Sequence, residues 1–115
     1  MPLTIYHNPR CSKSRQALAL LKDAGQAPDV RLYLDTPLDR QELTDILQQL
    51  GFDDPRALMR RGESVYKTLG LKDEGDSQRL IDAMIANPKL IERPIVTDGK
   101  RAVLGRPPES VLGLL

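Results

Sequence analysis

The sequence predicts an α/β protein with a mixed four-stranded sheet, in the order βαβ, helical insert, ββα. Three observations predict it. The first 35 residues read as strand, amphipathic helix, strand. The middle of the chain, at about 39–90, carries helical patterns only. The last third returns to two β-prone runs around Asp98-Gly99.

Residues 3–6 form a short β-prone run that ends in the polar loop His7-Asn8-Pro9-Arg10. From Ser12 to about Asp23 the apolar positions Ala17, Leu18, Leu21 and Ala24 share one helix face. Gly25 follows, where a helix C-terminus favours glycine. Val30, Leu32 and Leu34 then alternate with Arg31, Tyr33 and Asp35, the pattern of a half-buried strand with its leucines inward. A strand, a helix and a strand at this spacing make a βαβ unit with parallel strands.

Asp39 starts the insert. Glu42 completes a capping box with it, Leu38 and Leu43 are spaced as a hydrophobic staple, and Gly51 ends that helix. Asp54-Pro55 opens a short helix that carries Leu58 and Arg60-Arg61. Another short helix covers 65–69. Ser77 is placed to cap a helix with the face Leu80, Ile81, Met84 and Ile85, which Asn87-Pro88 stops. Residues 94–97 and 101–104 pair through the Asp98-Gly99 hairpin signal, and Pro107-Pro108 starts a C-terminal helix. This is the thioredoxin order with extra helices in the middle. The 115 residues suit a single domain, 1–115, with the insertion at about 39–90.

Composition narrows the function. Hydrophobic residues are 40% and charged residues 29%, which is globular, and with three Tyr and one Phe the core falls to Leu, Ile, Val and Ala. A net charge of +1 gives no field for nucleic acid or an anionic membrane. The N-terminal stretch lacks the apolar centre of a signal peptide, and no run is long enough to span a bilayer. The reading is a cytoplasmic monomer. One cysteine excludes an internal disulfide and fits a reducing compartment. Any redox cycle at Cys11 must therefore take its second thiol from another molecule. One Cys and one His are too few for a zinc site, so no metal and no tightly bound cofactor are expected.

Cys11 sits where the first helix begins. Unpaired N–H groups and the helix dipole favour a thiolate there and can also cradle an oxyanion. His7, Arg10, Lys13 and Arg15 surround it in sequence, and each favours the thiolate when charged. A free cysteine is more often a small buried hydrophobe. The polar, basic loop around Cys11 argues for a nucleophile instead.

The segment His7-Asn8-Pro9-Arg10-Cys11-Ser12-Lys13-Ser14-Arg15 resembles the His-Asn-Pro-x-Cys-x-x-Ser-Arg signature of the arsenate reductase (ArsC) family that works with glutathione and glutaredoxin. The resemblance continues in Arg-Ala-Leu-Met-Arg at 56–60, Arg-Pro-Ile-Val at 93–96 and Gly-Arg-Pro-Pro-Glu at 105–109, in the same order along essentially the whole chain. It implies a thioredoxin-like fold and reduction of arsenate to arsenite, with glutathione as co-substrate and glutaredoxin as partner. It implies Cys11 as nucleophile and His7 as the residue that tunes it. Arg60, Arg93 and Arg106 would cradle the oxyanion, and the loop with Asn8, Ser14 and Arg15 would wrap it. Pro94 falls where this fold carries a cis-proline, so the Arg93–Pro94 bond is expected to be cis. Arginine suits such a cradle because its forked donors match a tetrahedral oxyanion.

Two other readings stand beside this one. A glutathione-dependent thiol reductase of the same fold could act on another substrate, though the full arginine set favours an oxyanion. The Spx-type regulators that bind RNA polymerase share the fold but sense oxidation through Cys-x-x-Cys. Here Ser14 stands in place of the second cysteine.

Overall fold

Thr4, Ile5 and Tyr6 sit at the centre of the sheet. They form β1 (Thr4–Tyr6), one of two inner strands that pair on both sides in this computed structural model, which describes residues 2–115. On one side lies β2 (Asp29–Arg31), parallel, with Ile5 opposite Val30. On the other lies β3 (Ile95–Thr97), antiparallel, with Ile5 opposite Val96. β4 (Ala102–Leu104) pairs antiparallel with β3. The sheet is therefore mixed, four-stranded, and ordered β2-β1-β3-β4.

Between β1 and β2 runs α1 (Ser12–Asp23), as its periodicity predicts. Ser14, Ala17 and Leu21 are its buried positions, three and four residues apart, whereas Ala24 is exposed. Gly25 follows the helix with φ +84°, a left-handed conformation that suits glycine. α1 lies against a 3₁₀ segment at Pro108–Leu114. Leu3, Ile5, Ala17, Leu21, Val96, Val111 and Leu114 form one core cluster. Burying each large aliphatic side chain contributes roughly 1.5–3 kcal/mol.

The chain divides into two compact units, one holding residues up to Thr36 together with Arg93–Leu115 and the other Pro37–Glu92. All four strands belong to the first. The second contains α2 (Arg40–Leu50), α3 (Ser64–Thr68) and α4 (Ser77–Ala86), with 3₁₀ turns at Pro55–Leu58, Leu71–Asp73 and Pro88–Leu90. The Asp39–Glu42 capping box forms in both directions, Leu38 and Leu43 are buried, and Gly51 takes the left-handed C-cap. An isolated antiparallel bridge joins Met59 to Ile91 within this unit. Arg60 N–H donates to the Leu90 carbonyl, and Glu92 N–H to that of Leu58, each at 2.7 Å. Among the described residues no helix is long and apolar enough to cross a membrane.

Several local expectations are corrected. The second strand stops at Arg31, and its side-chain phase is inverted: Tyr33 is 1% exposed, whereas Val30, Leu32 and Leu34 are exposed. After Arg31 the chain turns, with Asp35 and Thr36 N–H groups both donating to the Leu32 carbonyl, so the alternation beyond Arg31 is not a strand. The tyrosines belong with the aliphatic core, since Tyr6, Tyr33 and Tyr66 are all buried. Asp76, not Ser77, caps α4, its carboxylate accepting from Gln78 N–H. The helix after Asp54 is a single 3₁₀ turn that ends at Leu58, which leaves Arg60 and Arg61 outside it. The hairpin loop spans residues 98–101, and Asp98 Oδ1 accepts from both Lys100 and Arg101 N–H groups.

Candidate active site at the first turn of α1

The loop from His7 to Cys11 is built by its own polar groups. Cys11 N–H donates to the Asn8 carbonyl at 3.0 Å, which closes a turn. Asn8 Oδ1 accepts from Arg10 N–H at 3.0 Å. Arg15 reaches back from α1, and its guanidinium donates to the Pro9 carbonyl at 2.8 Å. Asn8 and Arg15 thus shape the loop that delivers Cys11.

Cys11 is the N-cap residue of α1, with extended backbone (φ −93°, ψ 122°) and a buried thiol. Burial pushes the thiol up. The N–H of Ser14, the hydrogen bond and charge of the Arg93 guanidinium, and the N–H of Lys13 outweigh it, so the net effect is below the ordinary thiol value. The physical cause is the one its position predicts: N–H groups of the first turn face the sulfur and favour its charged form. The arginine is supplied from far along the chain by the sheet.

His7 is buried, and its Nδ1 shares a 2.6 Å hydrogen bond with Ser14 Oγ, which also accepts from Asn8 N–H at 3.1 Å. Desolvation lowers the His7 pKa, and the positive charges of Arg15 and Lys22 lower it further. The ring is therefore neutral near pH 7, so what His7 brings to the Cys11 turn is its hydrogen bond to Ser14 and not a positive charge. It braces Ser14, whose N–H faces the sulfur. In the sequence Ser14 stands out only as the residue in place of a second cysteine. Its full burial against His7 is a role that only the fold reveals.

Arg93 precedes Pro94, and the bond between them is cis; Arg106–Pro107 is also cis. Arg106 is exposed, and its Nε donates to the Arg93 carbonyl at 3.1 Å. Within the first unit Arg93 meets Cys11 beside Ser14, and Arg106 holds the Arg93 backbone. Arg60 belongs to the second unit, where its guanidinium meets Glu63 Oε1 at 2.7 Å and Glu92 Oε1 at 3.8 Å. The first arginine of the 56–60 motif serves the structure of that unit, since Arg56 donates to the carbonyls of Leu71 and Glu74. Sequence reading missed Leu32 and Leu34 as surface residues. They line one side of a groove whose other side is the His7–Arg10 loop, and only their tertiary exposure shows it.

A cysteine at a helix N-cap, faced by an arginine that precedes a cis-proline on a βαβ–ββα sheet, defines a thioredoxin-like thiol protein. The site brings a thiol and a cationic donor together, the groups that attack on an oxyanion would need. The chain belongs to the ArsC family, which it matches over residues 6–114. It is 54% identical over 112 residues to the uncharacterized protein YfgD of Escherichia coli (strain K12), covering 96% of this chain and 94% of that one. It is 47% identical over 116 residues to the arsenate reductase of Haemophilus influenzae, covering 100% of each. The solved structure of arsenate reductase from Vibrio cholerae is similar with a TM-score of 0.96 at 51% identity, covering 100% of this chain and 98% of that one.

Proposed function

We propose that this protein reduces arsenate to arsenite, with Cys11 as nucleophile and with glutathione and glutaredoxin as the electron supply. The observation that carries the reading is the Cys11 thiol at the α1 N-terminus with the Arg93 guanidinium against it. Relatives named arsenate reductase, similar along the whole chain, supply the substrate.

In this reading the Cys11 thiolate displaces one arsenate oxygen, which leaves as water after protonation, and a sulfur–arsenic bond forms. Arg93 and Arg106 hold the remaining oxygens and offset the repulsion between two negative groups; Arg60 is the third arginine of the reading. The N–H groups of the first turn stabilise charge on the same centre. A glutathione thiol then enters. As arsenite leaves, the two sulfurs join in a mixed disulfide, and arsenic takes the two electrons they give up. A glutaredoxin thiol removes the glutathionyl group and returns Cys11 to its thiol. No second cysteine of this chain is needed, and there is none. A monomer in the cytoplasm, where thiols stay reduced, completes the reading.

The test is arsenate-dependent NADPH oxidation with glutathione, glutaredoxin and glutathione reductase. Wild type turns over, and Cys11→Ser does not. No turnover by wild-type protein with an intact thiol, beside an active control enzyme, removes arsenate as the substrate.

A further inference from the structure

Gly105 follows the last residue of β4 and begins the corner that leads to Arg106. Its N–H donates to the Pro94 carbonyl at 2.9 Å. One residue on, Arg106 Nε donates to the Arg93 carbonyl at 3.1 Å. The corner at 105–106 therefore grips the backbone at 93–94 through two consecutive carbonyls.

The space at this corner admits no side chain. A Cβ on Gly105 would lie 2.5 Å from Pro94 Cγ, 3.1 Å from Pro94 Cδ and 3.2 Å from Val111 Cγ1. The proline ring cannot rotate away, because it is closed on its own backbone. Val111 is fully buried in the core and has little room to yield. Any side chain at 105 must push the backbone of one segment off the other. Gly105 is not among the glycines with positive φ, which are Gly25, Gly51, Gly70 and Gly99. Its backbone conformation does not call for glycine, so the close approach does.

We propose that the Gly105–Arg106 corner is a positioning device: the bare Cα of Gly105 lets the chain seat against the Pro94 ring, and this seating sets where Arg93 places its guanidinium against Cys11. Gly105 brings no side chain to the sulfur. It acts through Pro94 and Arg93, which are adjacent in sequence. The device concerns the thiol itself and holds whatever oxyanion the enzyme takes. Its test reads the thiol without arsenate, so its failure and a failure of the arsenate reading are separate results.

The experiment is the pH dependence of iodoacetamide alkylation of the full chain. Cys11 is the only cysteine, so the signal belongs to one sulfur. In folded Gly105→Ala the midpoint rises by about one pH unit, and alkylation in the pH range below it slows by roughly tenfold. Gly113→Ala, where an added Cβ meets nothing within 4 Å, keeps the wild-type midpoint. A folded Gly105→Ala with an unchanged midpoint overturns the proposal, as does an equal rise in Gly113→Ala. Should Gly105→Ala fail to fold, Arg106→Lys serves instead: it keeps the charge and loses the fixed Nε donor on the Arg93 carbonyl. The midpoint rises there too, and a folded Arg106→Lys that titrates like wild type overturns the device.

Discussion

His7 Nδ1 and Ser14 Oγ lie 2.6 Å apart in the interior, and they join the end of β1 to the first turn of α1. The same hydroxyl oxygen takes the Asn8 N–H, so one small side chain holds strand, loop and helix together. Removing it leaves a buried imidazole nitrogen without its hydroxyl. Ser14→Ala is expected to lower stability by about 1–3 kcal/mol in urea unfolding. A loss under about 0.5 kcal/mol would show that this bond does not brace the turn.

The buried imidazole also makes stability depend on pH. The unfolded histidine takes a proton near its ordinary value of 6.5, and the folded one resists it because of desolvation and the charges of Arg15 and Lys22. A depressed folded value means the stabilisation is complete above 6.5 and is lost as pH falls toward the folded value. The melting temperature is therefore expected to fall from pH 7 to about pH 5.5. His7→Asn, which cannot take that proton, should flatten the profile in this window. An unchanged slope would assign it to other groups.

The thiol behaves in the same sense at higher pH. Its folded value is lowered because the Ser14 and Lys13 N–H groups and the Arg93 guanidinium together outweigh desolvation. The linked stabilisation is present above the unfolded thiol value and disappears as pH falls through the folded one. Wild type should gain stability relative to Cys11→Ala as pH rises through that interval. Arg93→Met should shift the alkylation midpoint upward and shrink the gain. A midpoint that stays in place would mean that the helix N–H groups alone lower the thiol.

Tyr33 and Leu34 are neighbours with opposite fates, one 1% exposed and the other 38%. Tyr33→Ala is expected to cost about 3 kcal/mol, as for other large aromatic truncations in a core. Leu34→Ser should stay within about 0.5 kcal/mol of wild type, as surface substitutions do. The reverse order, read by chemical denaturation, would restore the half-buried strand that alternation suggests.

Asp39→Ala removes the side chain that accepts the Glu42 N–H at 2.8 Å and breaks the reciprocal cap of α2. A loss of about 1 kcal/mol is expected in equilibrium unfolding.

Local chemistry made much of the molecule legible before folding was considered. The limits of α1, the Asp39–Glu42 cap and the Gly51 stop depend on neighbours within a few residues, and those neighbours are visible in the sequence. Alternation at Val30–Leu34 misled because period-two patterning reports which residues could share a face, not which face the fold covers. Ser77 lost its cap to Asp76 for a related reason: the Asp76 carboxylate already accepts the Gln78 N–H of that first turn.

The sequence by itself determined that Cys11 opens a helix after a short strand, within a basic polar loop, and that no second thiol exists in the chain. Helix caps, turns and the composition of a loop are local properties. Only the tertiary structure decided that Arg93 meets Cys11, that His7 is neutral and braces Ser14, and that Gly105 must lack a side chain. Those relations join residues brought together by sheet pairing and core packing, where distance, desolvation and steric exclusion are set by neighbours far away in the chain.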